Sequence, residues 1–415
     1  MKITILIADS NGCFTVPAVK DGAVATLVQH LLDSNETRKW VDLTIVSYWS
    51  KEAEKEALKY KNCNFIWVKC PSIIKKMDDV FFGLVQYIFK NKKIVSYRSA
   101  FSLLYYILKT SNILKKNTFE NIIIENNIPL IWTIRLSNYK GKYYYHLHNV
   151  PRINAMCTKE FKNCTGYLCV SKFVGNQIAS EQNPIGPIEE KKIKILYNCI
   201  DSDLFRITGD FSESISLRQK YNVPKNNKVV IFVGRMSAEK GIDKVLEAMI
   251  NMNRKDVTLL VVGSLMHNLD VNDEYQCMIH NQAKKLGENV IFTGYISQRE
   301  LYRYYNMADV AVLPSVWEEP AGLTMVEALA CGLSVITTNS GGIPEYVSNV
   351  AIVLENDSNL VLNIEAELKK LLENNVEDIK DKKRRSYYIK EKFNCDLYIV
   401  KFCEMIESYY KNGKV

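Results

Sequence analysis

The sequence predicts an α/β protein built of two doubly wound, Rossmann-like domains, and three stretches carry that expectation. The amino terminus runs from a short apolar segment, residues 3–8, through the loop DSNGCFTVPAVKDGA into a helix whose Val24, Leu27, Val28, Leu31 and Leu32 fall at helical spacing. The same plan restarts at residues 228–233, where an apolar strand gives way to GRMSAEKG and then to a helix carrying Ile242, Val245, Leu246 and Met249. The third stretch, residues 308–338, reads strand, loop, helix, strand, which is a βαβ unit and implies a parallel sheet. At 415 residues the chain has room for two to three domains, and a hydrophobic share of 47% can fill their cores.

The remaining elements follow in order. Strands are expected at 41–47 and 64–68 around a charged helix at 51–59, then at 119–125, 143–147 and 166–170, with a helix over 171–178. In the second half, strands are expected at 259–263, 290–293, 310–313 and 333–338. Helices are expected between them at 273–286, 297–307 and 324–332. Beyond Leu360 the chain is helical and Lys-rich, and residues 397–410 are periodic enough to pack on another surface.

Composition excludes several classes. Eleven scattered cysteines, an odd number with no C-x-x-C, argue against a zinc cluster and a disulfide framework and suit reduced packing residues. The apolar run of MKITILIADS is too short for a signal sequence and reads as the first strand. No stretch approaches ~18 uncharged apolar residues, so no transmembrane helix is expected. The net charge of +8 is modest for this length and does not mark a nucleic-acid binder. It is concentrated in residues 73–116, where nine Lys or Arg stand against two Asp among many aromatics. Such a segment either lies on an anionic membrane surface or buries its aromatics and solvates its lysines. G-x-G-x-x-G is missing after the first strand, which counts against a nicotinamide or flavin enzyme.

Candidate chemistry gathers at predicted strand ends. After the strand ending at Leu313, the loop offers Glu318 and Glu319, then Pro320 and Gly322, before a helix that carries Glu327. Free N–H groups at Gly322, Leu323 and Thr324, with the helix dipole, would form an anion site between two carboxylates, which suits a pyrophosphate with a sugar at each end. Thr324 and Glu327 also fit a capping box, T-x-x-E, in which the Glu only satisfies the backbone. Arg235 and Lys240 are the cations of the loop after the strand at 228–233 and suit phosphate contact. His148 ends the strand at 143–147. His146 faces the same way two residues earlier, which would allow a metal pair, but no third ligand stands near it in sequence. Asp201-Ser202-Asp203 forms a D-x-D, a metal-binding pattern in some transferases, here in a linker.

The run E-P-x-G-L-x-x-x-E from Glu319 to Glu327, continued by A-L-A-C-G-L-S-V-I and by G-G-I-P-E, resembles the E-x7-E signature of family 4 retaining glycosyltransferases. The resemblance implies the GT-B fold: two Rossmann-like domains facing a cleft, with a terminal helix crossing back to the first. On this chain that gives an acceptor-side domain over 1–194, a nucleotide-sugar domain over 195–395 and a returning helix over 396–415. It implies that Glu327 meets the ribose, Glu319 the donor sugar, Arg235 and Lys240 the diphosphate, and His148 the sugar near its reacting carbon. Gly22 would approach the pyrophosphate, although Asp21 stands where a second glycine is usual; Gly294 and Tyr295 would receive the base. Cys199 replaces the glycine of the usual N-G-hydrophobic-D hinge.

The implied reaction is front-face displacement with retention, with no metal, no cofactor beyond the donor and no separate general base. The implied partners are a nucleotide-sugar donor and a glycan or lipid-linked acceptor, with no nucleic acid. The setting is capsule or cell-surface polysaccharide synthesis by a cytoplasmic protein, peripheral at the inner face of the membrane where the basic segment binds. A nucleotide-sugar epimerase and a catalytically silent partner subunit are the alternatives.

Overall fold

Continuous β-branched runs such as Asn-Ile-Ile-Ile-Glu suit strands covered on both faces, as in parallel sheets. The computed structural model describes residues 2–6, 14–19, 22–88, 98–209, 212–263, 274–373 and 379–411. The chain divides into two units, Met1–Cys199 with Cys395–Val415, and Ile200–Asn394.

The first unit contains β1 (Lys2–Leu6), α1 (Ala23–Arg38), β2 (Asp42–Tyr48), α2 (Lys51–Ala57), β3 (Cys63–Val68), α3 (Ser72–Ile88), α4 (Ala100–Lys116), β4 (Asn121–Glu125), α5 (Ile131–Ser137), β5 (Lys142–Leu147), α6 (Thr158–Asn163), β6 (Gly166–Cys169), α7 (Lys172–Ala179) and β7 (Ile193–Ile195). The strands form one parallel sheet ordered β3-β2-β1-β4-β5-β6-β7, so the winding reverses between β1 and β4. Every residue of β4 is buried. Helix starts follow capping chemistry: the Ser50 and Ser171 hydroxyls accept from the N–H groups of Ala53 and Val174.

Residues 73–116, a single basic aromatic segment in the sequence, form two helices here. Asp78 of α3 accepts from the N–H groups of Phe101 and Ser102, at 2.7 and 3.0 Å, and so caps α4 from outside. Tyr106 of α4 is fully buried and donates to the Val46 carbonyl, whereas Asp78 and Val85 are the buried residues of α3. Lys90, Lys92 and Lys93 lie outside the described residues.

The second unit holds α8 (Ser212–Lys220), β8 (Lys228–Val233), α9 (Ile242–Met252), β9 (Val257–Val262), α10 (Glu274–Ala283), β10 (Val290–Gly294), α11 (Gln298–Met307), β11 (Val310–Leu313), α12 (Leu323–Ala330), β12 (Ser334–Thr338), α13 (Ile343–Val347), β13 (Ile352–Leu354), α14 (Leu360–Glu373) and α15 (Ile379–Phe393). Its parallel sheet is ordered β10-β9-β8-β11-β12-β13 and reverses between β8 and β11. The buried Arg385 of α15 donates twice to the Gly332 carbonyl, at 3.1 and 2.8 Å, satisfying an oxygen left by the end of α12. The chain then returns to the first unit as α16 (Cys395–Lys411), whose Tyr398, Ile399, Phe402 and Ile406 join Leu27, Leu31 and Leu32 of α1 in one core. Tyr409 donates to the carbonyls of Tyr167 and Lys192.

Among the described residues no helix is long and apolar enough to cross a membrane, and the described cysteines are free thiols, most of them buried.

Candidate functional site

In open parallel sheets ligands gather beyond the carboxyl ends of the strands where the winding reverses. In the second unit that point is occupied by the loops after β8 and β11, which meet at Gly241, and the loop after β12 packs on the second of them at Gly341. Gly241 has φ 69°, and a Cβ there would fall 2.2 Å from the Pro314 carbonyl oxygen. Gly341 has φ 61° and lies against the Glu319 backbone, while the N–H of Gly342 donates to the Glu319 carbonyl at 2.6 Å. Val316 N–H donates to the Glu239 carbonyl at 3.0 Å.

This weave sets Lys240 directly against Glu319 as an ion pair. The Ser315 hydroxyl donates to the same carboxylate oxygen at 2.7 Å, and the Glu319 residue is only 8% exposed. Arg235, on the same loop as Lys240, is about half exposed and contacts the Glu239 carboxylate at 3.4 Å. Ser315, four residues before Glu319, carries no local signal of this contact; its hydroxyl is also within reach of the Glu239 carbonyl at 3.0 Å.

Gly322 is the N-cap of α12, and Leu323 and Thr324 form its first turn, where N–H groups lack intrahelical acceptors. Thr324 is therefore inside the helix, and the capping box is not made. Glu327 instead faces α11 and accepts from Gln298 Nε2 at 2.8 Å and from the Tyr305 hydroxyl at 3.3 Å. Burial, with the carboxylate beside it, pushes the Tyr305 phenol well above its ordinary range, so it remains a donor.

Gly294 closes β10 at φ 73° and accepts from the Gly263 N–H at 3.0 Å; Tyr295 beyond it is 46% exposed. Asp201 Oδ1 accepts from the N–H groups of Asp203 and Leu204, a local turn that occupies the first acid of the D-x-D.

In the first unit, Gly22 is the extended N-cap of α1, with the Phe14 ring 2.6 Å from where its Cβ would stand. Lys20 and Asp21 lie outside the described residues. The developed chemistry of this unit is at the ends of β4 and β5. Their register sets Glu125 opposite His146. Asn126 then turns at φ 53° and its Oδ1 accepts from the His148 N–H at 3.1 Å, bringing the second ring over the same carboxylate. His146 Nδ1 and His148 Nε2 each lie 3.0 Å from Glu125 Oε2. All three residues are buried. Burial alone would raise the Glu125 carboxyl, but the two imidazoles more than offset it and hold it at about 2. Burial, reinforced by the His146 ring, pushes His148 down to about 4 against the pull of Glu125.

The third group expected to be missing beside the two histidines is thus present, 21 residues away in sequence and adjacent in the sheet. Among the described residues, Glu125, His146 and His148 are the set whose ligating atoms come within 4.8 Å of one another. A metal on the inner nitrogens would leave protons on His146 Nε2 and His148 Nδ1, and both of these buried atoms lack a hydrogen-bond partner among the described residues. Metal-bound imidazoles usually donate that outer N–H to a carboxylate, carbonyl or water, so the set fits a hydrogen-bonded carboxylate better than a metal.

Residues 213–392, nearly the whole second unit, match the family described as glycosyl transferases group 1. An uncharacterized glycosyltransferase of Methanocaldococcus jannaschii is 27% identical over 233 residues, 52% of this chain and 58% of that protein. The lipopolysaccharide 1,2-N-acetylglucosaminetransferase of Salmonella typhimurium is 28% identical over 231 residues, 54% of this chain and 56% of that one. The similarity thus spans little more than half the length of these relatives. Solved structures are similar over the whole chain. A glycosyltransferase from Rickettsia africae matches with a TM-score of 0.73 at 19% identity, covering 99% of both chains. Anabaena HepE, solved in complex with UDP and glucose, matches at 0.70 and 17% identity, covering 98% of this chain and 100% of that one. The fold is GT-B, with two Rossmann-like α/β domains. The matches together support a group 1 glycosyltransferase.

Proposed function

We propose that the protein is a retaining, metal-independent glycosyltransferase of family 4 that moves a sugar from a nucleotide-sugar donor to a glycan or lipid-linked acceptor in cell-surface polysaccharide assembly. The carrying observation is the joined pair of loops after β8 and β11, which holds Lys240 against Glu319 with Arg235 on the same loop and the start of α12 after it. A departing nucleoside diphosphate gains negative charge as the glycosidic bond breaks. Preorganised cations and helix N–H groups stabilise such charge by about 3 kcal/mol per donor. Glu319 and Glu327 then serve as acceptors for sugar and ribose hydroxyls, Gly294 and Tyr295 line the base, and the leaving phosphate takes the acceptor's proton. HepE's complex with UDP and glucose and the Salmonella relative's name fit this donor and acceptor chemistry. Metal independence rests on charge: Arg235 and Lys240 supply the cations, and Asp201 is engaged in its own turn.

An anionic membrane surface is the proposed setting of the acceptor. On α3, Ile73, Met77, Val80, Leu84, Tyr87 and Ile88 recur at helical spacing and are 46–73% exposed, with Lys75 and Lys76 on the same helix. An apolar stripe on a basic helix suits insertion into the headgroup boundary.

A screen of UDP-, GDP- and dTDP-sugars in EDTA, with the product anomer read by NMR, tests the proposal. Transfer with retention is expected. Inversion or a manganese requirement overturns the mechanism, an isomerised donor without acceptor identifies an epimerase, and no turnover of any donor leaves a silent partner subunit.

A further inference from the structure

The carboxylate of Glu125 lies under two imidazoles that approach it by different nitrogens. His146 presents Nδ1 and His148 presents Nε2, both 3.0 Å from Oε2. An ionised carboxylate can only accept, so each ring must bring a proton to it, and the opposite nitrogen of a neutral ring is then bare. From this geometry we propose that Glu125 is a positioning residue: it fixes His146 as the Nδ1–H tautomer and His148 as the Nε2–H tautomer. His148 thereby turns an unprotonated Nδ1 toward a hydroxyl-donating ligand such as a sugar.

Three features support this. The outer nitrogens, His146 Nε2 and His148 Nδ1, are buried and lack partners among the described residues, and an orphaned buried N–H is rarer than an under-satisfied acceptor. The register of β4 with β5 and the Asn126 turn hold both rings over one oxygen, with centroids 4.1 Å apart. The backbone of each histidine is thus held at the end of the sheet, and its ring by the carboxylate. The depressed basicity of His148 keeps it neutral near pH 7, as an acceptor must be. The ligand part of the inference rests on the function proposed above; the tautomer part does not.

The test is a long-range ¹H–¹⁵N correlation spectrum of the full chain labelled at its five histidines, assigned with His146→Asn and His148→Asn. The expected wild-type pattern is opposite tautomers, with the proton on Nδ1 of His146 and on Nε2 of His148. Matching tautomers, or two protons on the His148 ring at pH 7, overturn the proposal, as does zinc displacing both inner protons. A Gln oxygen in place of Oε2 could still accept from both rings, so the informative variant is Glu125→Leu, in which the shared acceptor is gone and neither inner proton is held. An unchanged pattern in a folded variant also overturns it, and if the variant does not fold the wild-type spectrum still decides. With whichever donor the screen yields, Glu125→Leu is expected to lower kcat about tenfold or more while UDP affinity is kept. Should no donor turn over, the spectrum alone judges the tautomers.

Discussion

Replacing Glu327 by Gln separates its two possible duties. In the fold it accepts from Gln298 and Tyr305, and both bonds survive in Glu327→Gln: the amide oxygen takes the Gln298 N–H, and the amide N–H meets a Tyr305 hydroxyl that can turn to accept. The cost to the fold is then about 1 kcal/mol or less, or roughly 2–4 °C for a unit of this size. A ribose held by the carboxylate loses charge-assisted bonds worth about 1.5–3 kcal/mol, which weakens nucleotide binding about 10- to 150-fold. Calorimetric titration of UDP and GDP, paired with thermal melting, reads both terms. Affinity within about twofold of wild type for the nucleotide that binds, alongside a melting temperature lowered by more than that range, would show that Glu327 serves the fold alone.

Arg235→Ala is expected to leave stability unchanged, since its exposed i,i+4 pair with Glu239 is worth about 0.3–0.5 kcal/mol, while UDP affinity falls about tenfold by calorimetry. Lys240→Ala should lower affinity and also melting temperature, because it strands the mostly buried Glu319; the partly exposed pair discounts that loss to about 1–3 kcal/mol. Acid should destabilise the first unit. His148 titrates at about 4 when folded against an ordinary value of 6.5, so the unfolded chain binds the extra proton between those values and stability drops as pH falls through that window. Glu125, held at about 2, extends the loss below pH 4.5, and urea midpoints should fall less steeply above pH 4 in His148→Asn. Val80→Asp with Leu84→Asp on exposed α3 positions should abolish sedimentation with anionic vesicles without altering the melt; undiminished binding removes α3 from the membrane contact.

Much of the fold was legible because a strand buried on both faces writes itself as an unbroken apolar run. Lys228–Val233 and Val310–Leu313 are such runs, and their ends coincide with the expected ones. The edge strands Ile193–Ile195 and Ile352–Leu354 were not foreseen, since three half-buried residues carry no period. Ile128 to Trp132 is an apolar run too, but it makes a turn and the start of the helix α5. On α3 the helical period was readable and its direction was not. Asp78 faces inward because it caps α4, which leaves the larger apolar side chains outside.

The candidate sites divide along the same line. Lys240 and Glu319 sit in loops whose glycines and charges are visible locally, and their meeting follows once β8 and β11 are neighbours. Glu125 and His146 meet only through the register of two parallel strands. A slip of one residue would carry the carboxylate to the opposite face of the sheet, and nothing within either strand's sequence fixes that register. The capping box expected of Thr324 and Glu327 is lost through a shift of two residues in the start of α12. With Gly322 as N-cap, Thr324 falls at the second helical position, where its hydroxyl cannot serve the third N–H of the helix. Glu327 falls at the fifth, beyond reach of the N-cap backbone, and its carboxylate accepts instead from the Gln298 and Tyr305 side chains of α11.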